Sequence, residues 1–388
     1  MYDSFEFLAP RCIFGEGATK RIPEILANYN VKKLMAVYDK GVKAAGIVDP
    51  ILDNIRNAGY EVIEFDEVNP DPDQVMVEKA ADIAKKTGVE LFIAIGGGSS
   101  LDTVKGACAL HSNPGKLSDY AGAGLVKNTC APWFAVPTTS GTGSEVTTLG
   151  IFSDFILQKK YMVKDVVKLP AACAFMDPDL VLGLPGAITA ATGMDALSHA
   201  VEGYTIPRNN PICDALNLDA IKRIFKWLPI AVTDGKSVEA RGEMMLGATL
   251  AGLGFANTSL HIGHAFGHAL GACLHIPHGT ACTLSLPYAM RHAGEVMPIE
   301  RLKTIAEAMG MDSSNKERAQ LIEDCVNAIK SLGKQIGIQT IKELGFGDAE
   351  YLEMGIEFAK KEVYMCQASG QPLTDEKMRE YMTDMWNQ

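Results

Sequence analysis

Leu91-Phe-Ile-Ala-Ile-Gly96-Gly97-Gly98-Ser99-Ser100-Leu-Asp102-Thr-Val-Lys105 decides the fold, because it runs from an apolar stretch through three glycines into a helical pattern. The run Leu91–Ile95 is short, uninterrupted and bounded by a breaker, as expected of a strand buried on both faces. Upstream, Lys33–Tyr38 and Glu61–Phe65 read as strands. Helical spacing covers Pro50–Gly59 and Gln74–Thr87, where Gly88 stops it. Downstream, Trp133–Val136 reads as a further strand. Strand and helix alternating in this way predict βαβ units on a parallel sheet. Ligands on such sheets bind beyond the carboxyl ends of the strands, which singles out the residues after Tyr38, Ile95 and Val136.

From about Pro185 the character changes. Ala187–Tyr204, Pro211–Trp227, Val238–Ala256, Ile299–Ala308 and Arg318–Ile336 read as helices, and extended β-branched runs are nearly absent. The expected fold class is therefore α/β: a parallel-sheet domain over residues 1–184, then an all-helical domain over 185–388. A length of 388 residues suits two domains at roughly 150 residues each. A cleft between them is the default place for an active site. With 47 acidic against 36 basic side chains, the charge of −11 disfavours nucleic acid and anionic membranes as partners. No apolar run approaches a membrane span, and the start lacks a basic region followed by an apolar core. Nine cysteines scattered singly, with no CxxC, argue against a complete disulfide framework and for a reducing, cytoplasmic setting.

Glycines in the Gly96–Ser99 turn let the backbone approach a ligand, and free N–H groups at the helix start favour an anion such as a pyrophosphate. This is not the GxGxxG fingerprint, and taken alone it is equally a tight turn. Asp39, ending an earlier strand, suits a ribose hydroxyl, although by itself it reads as a turn residue. A second loop, Pro137-Thr138-Thr139-Ser140-Gly141-Thr142-Gly143-Ser144-Glu145-Val146-Thr147, also follows a strand and offers hydroxyls with little bulk. Two such loops on one sheet favour a nucleotide more than either does alone. There is no GxSxG elbow and no GxxxxGK[ST] loop.

Histidines carry the sharpest signal. Five of the eight, at 261, 264, 268, 275 and 278, fall within one short stretch. Upstream, Asp195 and His199 are four apart and share one face of a helix, as do His264 and His268. Any one of these histidines alone reads as a packing residue. Imidazoles with one carboxylate, and no paired cysteines, form a good divalent-metal set. Spacing does not say which of His261, His264 and His268 binds.

With these pieces assembled, the chain resembles the iron-containing (group III) alcohol dehydrogenases over essentially its whole length. The most specific matches are Gly96-Gly-Gly-Ser99, Pro137–Thr147, Gly193-Met-Asp-Ala-Leu-Ser-His-Ala-Val-Glu-Gly203 and His264-x3-His268-x9-His278-Gly279. The resemblance implies a metal held by Asp195, His199, His264 and His278, with His268 nearby as an unligated proton relay. His261 and His275 fall outside the pattern and are treated as structural. It places the cofactor along Asp39, Gly97, Gly98, Ser99, Asp102, Thr138, Thr139, Thr147 and Lys160. Lys160 enters on the resemblance alone, since its own spacing reads as surface. Asp39 matches the position whose carboxylate favours NAD(H) over NADP(H). Leu149, Phe255, Leu260 and Cys366 are expected to give a narrow apolar substrate pocket. Where many relatives carry Gly-Asn-Pro-Arg, this chain has Gly370-Gln-Pro-Leu373, so no substrate is transferred by name.

The implied reaction is hydride transfer between NAD(H) and a small alcohol or aldehyde. Iron(II) is the family expectation, and the same donors accept zinc. A homodimer or larger homo-oligomer is implied as well. The competing enzyme class is a carbon–oxygen lyase of the dehydroquinate-synthase type, which should place Arg or Lys beside the ligands. None occurs between His264 and His278. A third alternative is a regulator that binds metal and nucleotide without turnover.

Overall fold

The computed structural model describes residues 4–155, 159–207 and 210–388. The chain divides into two compact units, Leu8–Gly183 and Leu184–Gln388, the latter taking in the short segment ahead of Leu8. In the first unit, strands β1 (Arg11–Phe14), β2 (Lys33–Tyr38), β3 (Glu61–Phe65), β4 (Leu91–Gly96), β5 (Gly122–Ala123), β6 (Trp133–Pro137), β7 (Leu149–Asp154), β8 (Lys159–Lys164) and β9 (Cys173–Met176) form two sheets. The larger is parallel throughout, in the order β1-β9-β6-β4-β2-β3.

Side chains alternate across this sheet with the period of two that a strand imposes. Met35, Val37, Phe92, Ala94, Trp133 and Ala135 pack on one face with the helices Gln74–Thr87 and Gly98–Ser112. Leu34, Ala36, Ile93, Ile95, Phe134 and Val136 pack on the other with Ile22–Leu26 and Val48–Asn57. Both faces are covered, which is why β4 and β6 read as unbroken apolar runs rather than alternating ones. Helix Gln74–Thr87 begins where the Asp73 carboxylate accepts from Val75 N–H at 3.2 Å. It ends at Gly88, whose φ of 71° gives the left-handed cap. The smaller sheet, β5-β8-β7, pairs β7 and β8 antiparallel. It was not expected, because β8 interleaves lysines and reads as surface.

The second unit is helical. Gly186–Thr205, Pro211–Thr233, Val238–Ala256, Ile262–Leu274 and His278–Val296 surround one apolar core. Asn210 caps the second of these, its Oδ1 accepting from Ile212 and Cys213 N–H, with Pro211 in the first turn where no N–H is needed. That helix continues past Trp227 through Pro229, one turn from its end, where the lost hydrogen bond matters least. Three C-terminal helices, Ala349–Ala359, Val363–Gln367 and Asp375–Asn387, lay beyond the sequence expectation. Among the described residues, no helix is long and apolar enough to cross a membrane.

Candidate metal and cofactor sites

Parallel register sets the cofactor loops level. Tyr38 pairs with Ile95 and Gly96 with Pro137, so Asp39, Gly97 and Thr138 leave one carboxyl edge together. Thr138 N–H donates to the Gly96 carbonyl at 3.0 Å, tying the second loop to the first. No side chain caps the helix Gly98–Ser112, and Gly97, Gly98, Ser99 and Thr139 are all partly exposed there. A methyl at Gly98 would stand 2.8 Å from Thr142 Cγ2, so only glycine lets the two loops lie this close. One oxygen of Asp39 accepts from Val42 N–H at 3.0 Å and starts the next helix. The other lies 3.7 Å from where a Gly96 Cβ would stand.

Beneath these loops is a buried cation that carries no motif of its own in the sequence. Lys105 Nζ donates to Asp102 Oδ1 (3.1 Å), Ser144 Oγ (2.6 Å), Thr147 Oγ1 (2.9 Å) and the Leu149 carbonyl (2.6 Å). Asp102 also accepts from Ser144 Oγ–H at 2.6 Å and Ile151 N–H at 3.0 Å. Burial lowers the Lys105 pKa, opposed by Asp102. Asp102, Thr147 and Leu149 are thus brought together as the brace of the loops. Lys160 is exposed and paired with Asp71 at 2.6 Å.

In the helical unit, three helices converge on one carboxylate oxygen. His199 Nε2 lies 3.8 Å from Asp195 Oδ1, His264 Nε2 3.8 Å and His278 Nε2 3.4 Å. Asp195, His199 and His264 are buried, and Asp195 Oδ1, His199 Nδ1 and His264 Nε2 have no hydrogen-bond partner. Asp195 Oδ1 and His264 Nε2, both orphaned and buried, face each other and fit a cation that would satisfy them, whereas the orphaned Nδ1 of His199 is not its nitrogen nearest Asp195. Burial opposes the Asp195 charge, but His199, His278, His264 and His268 around it hold its carboxyl below the usual range. Burial keeps His264 well below the ordinary imidazole value, which favours the ring form with a lone pair to offer. His278 reaches the cluster because Gly279 lets its helix abut Gly186–Thr205. A methyl there would overlap the Ala191 carbonyl.

Glu202, seven residues after Asp195 on the same helix, sets the tautomer. Its fully buried carboxylate accepts from His264 Nδ1 at 2.6 Å, and from the N–H groups of His261 (2.8 Å) and His264 (3.3 Å). A proton held on Nδ1 leaves Nε2 free to coordinate. Burial raises the Glu202 pKa, and His261 opposes the rise. His261 itself is buried and bonds Thr205 Oγ1 at 2.7 Å. His275 is exposed in the left-handed region at φ 55°, ending the helix Ile262–Leu274. Phe255 stacks on His199 at 4.3 Å and 16°. His268 Nδ1 faces Glu362 Oε1 at 3.4 Å, with its ring 5.7 Å from that of His278. Cys366 packs in the helical core with its thiol on the Ala359 carbonyl at 3.6 Å, and Leu260 is half-buried beside His261.

One member of the cluster carries no signal in the histidine pattern. Cys282, one turn after His278, puts a ligand atom within 4.8 Å of those of Asp195, His264 and His278. Burial, with Asp195 and Glu202 nearby, pushes its thiol pKa well up.

Residues 9–178 match the family model described as iron-containing alcohol dehydrogenase, and residues 189–384 match that of the family's C-terminal part. The chain belongs to the iron-containing alcohol dehydrogenase family. It is 36% identical to 1,3-propanediol dehydrogenase of Citrobacter freundii, over 93% of this chain and 94% of that one. It is 33% identical to NAD-dependent methanol dehydrogenase of Bacillus methanolicus, over 92% of each. The crystal structure of a 1,3-propanediol oxidoreductase superposes with a TM-score of 0.94 at 32% identity, covering 99% of this chain and 100% of that one. Membership makes this an oxidoreductase of the alcohol dehydrogenase type, and sets aside the lyase and regulator alternatives.

Proposed function

We propose that this chain catalyses reversible hydride transfer between NAD(H) and a small alcohol or aldehyde, with a divalent metal held by Asp195, His199, His264 and His278. The observation that carries this is the convergence of three imidazole Nε2 atoms on one partnerless Asp195 oxygen. When bound, the metal supplies Lewis-acid polarisation of the substrate oxygen, and the dinucleotide supplies the hydride. Gly97, Gly98, Ser99, Thr138 and Thr139 bind the dinucleotide phosphates. Asp39 accepts from the ribose 2′-hydroxyl and repels a 2′-phosphate, favouring NAD(H) over NADP(H). Phe255, stacked on His199, keeps water from that side of the ligands. Iron(II) is the family's metal, and zinc suits the same donors. The relatives' names contain methanol and 1,3-propanediol, which points to short alcohols. Nine free cysteines support a cytoplasmic setting. A homo-oligomer is the proposed assembly, to be checked by light scattering.

The test is anaerobic NADH oxidation with propanal, using chelator-stripped and iron(II)-reloaded protein. Activity restored by iron supports the proposal. Failure across a panel of short aldehydes, despite bound iron and NADH, overturns it. His268 passes protons between the ligand cluster and Glu362. Replacing it with Asn should lower turnover by about 10²-fold and alter the pH profile while metal content stays constant. Loss of metal in that variant would make His268 a ligand instead.

A further inference from the structure

Glu362 lies on the turn between the helices Ala349–Ala359 and Val363–Gln367. Its N–H donates to the Ala359 carbonyl at 3.1 Å, and its own carbonyl accepts from Cys366 N–H at 3.0 Å. These bonds fix its place, and Ala349–Ala359 packs on Ile262–Leu274, which carries His264 and His268. The side chain is 36% exposed, and its carboxylate faces His268 Nδ1 at 3.4 Å. The His268 ring is 6.2 Å from that of His264 and 5.7 Å from that of His278. One negative charge therefore stands a single imidazole away from two residues assigned to the metal. Among the described residues, no lysine or arginine pairs with it. Lys361 lays its ammonium over the Phe358 ring at 4.1 Å, and Lys360 is paired with Glu357 at 3.0 Å. Leu373, whose N–H donates to the Cys366 carbonyl at 3.1 Å, brings hydrocarbon rather than charge to the same turn.

We propose that Glu362 sets the charge preference for substrate: it admits alcohols and aldehydes whose far end is neutral or cationic, and turns away those whose far end is anionic. This rests on the dehydrogenase reading above. The substrate oxygen belongs at the ligand cluster, so a substituent on the third carbon is carried out toward the distance at which Glu362 stands. Two unit charges about 6 Å apart near a protein surface interact strongly enough to change affinity on the order of tenfold, and salt screens so short a separation only in part. A cation gains this and an anion loses it. Selectivity is a difference of affinities, so the repelled partner contributes to it as much as the attracted one.

The experiment compares 3-aminopropan-1-ol, butan-1-ol and 3-hydroxypropanoate, which differ in charge at the third carbon, on the iron(II)-loaded full chain at about pH 8, where the amine is an ammonium. Two quantities are read: kcat/KM for oxidation by NAD, and, with no turnover, the Kd of each alcohol for the NADH-loaded protein by calorimetry. Wild type should favour the ammonium over the carboxylate. Glu362→Gln should shrink that ratio by about tenfold in both readouts, and Glu362→Lys should reverse it. Because Glu362 also exchanges protons with His268, its variants slow all three alcohols together, and the ratio between them isolates the effect of charge. Glu357→Gln removes another carboxylate of the Ala349–Ala359 helix and should move the ratio by no more than about twofold. An unchanged ratio in Glu362→Gln, with butan-1-ol still oxidised, would overturn the role of Glu362 and leave the dehydrogenase reading standing. An equal change in Glu357→Gln would assign the preference to the net charge of the chain and overturn the proposal. Failure of these alcohols and of the aldehyde panel alike would overturn the dehydrogenase reading and this proposal with it. Wild type that prefers 3-hydroxypropanoate would overturn the proposal without any variant.

Discussion

Asp195→Ala is expected to cost the protein its metal and almost all of its turnover while leaving the metal-free fold about as stable as before. The first part follows from position, since three imidazoles face this one oxygen. Lewis-acid polarisation contributes several kcal/mol to such a reaction, and each 1.4 kcal/mol is tenfold, so turnover should fall on the order of 10³-fold. The second part follows from the orphaned Oδ1. A buried oxygen without a partner costs free energy in the metal-free state, and its removal offsets the small cavity left behind. Calorimetry with and without metal separates the two effects. Wild type should gain about 2.7 kcal/mol at a hundredfold excess of metal over Kd, and the variant nothing. A variant that holds one equivalent of metal and turns over normally would refute the assignment.

Lys105→Met should have the largest effect on stability. It removes one partner of a buried ion pair and strands Asp102 beside Ser144. Breaking such a pair typically costs about 3–5 kcal/mol. For a unit of this size that lowers its melting temperature by roughly 6–20 °C. Because Lys105 joins the helix of the first loop to Thr147 and Leu149 of the second, NADH affinity should also drop by about tenfold. Pairing the change with Asp102→Asn should recover part of the stability, since the stranded charge is then gone. A variant as stable as wild type would show that Lys105 is a bystander.

Legibility in the sequence followed the range of the interactions. Strands β2, β4 and β6 were visible because burial on both faces makes them continuous apolar runs. Strands β1 and β9 were not, since each has four residues and finds its neighbour far along the chain. Asp195 and His199 declared themselves through helical spacing. Glu202 lies on the same helix, but its role depends on His264, 62 residues away. Asp102 reads as a cofactor contact through the resemblance alone, and the brace its oxygens form with Lys105, Ser144 and Ile151 shows in the sequence only as a three-residue spacing to Lys105. Cys282 is one of nine scattered cysteines, and only its spacing of four from His278 places it on the same helical face.

The pairing of β1 with β9 also governs the order of folding. The strand synthesised first cannot bond to its neighbour until the end of the unit has been made. Gly17 and Thr19 then dock on the Asp177 carboxylate, across 160 residues in the first case. Closing so long a loop comes late, after the local pairings of β2 with β3 and β4 have begun the sheet. A nascent chain therefore leaves the ribosome with Arg11–Phe14 unattached. Any truncation that removes this strand would leave the fully buried Cys173–Met176 as an open apolar edge, ready to recruit a strand from another chain.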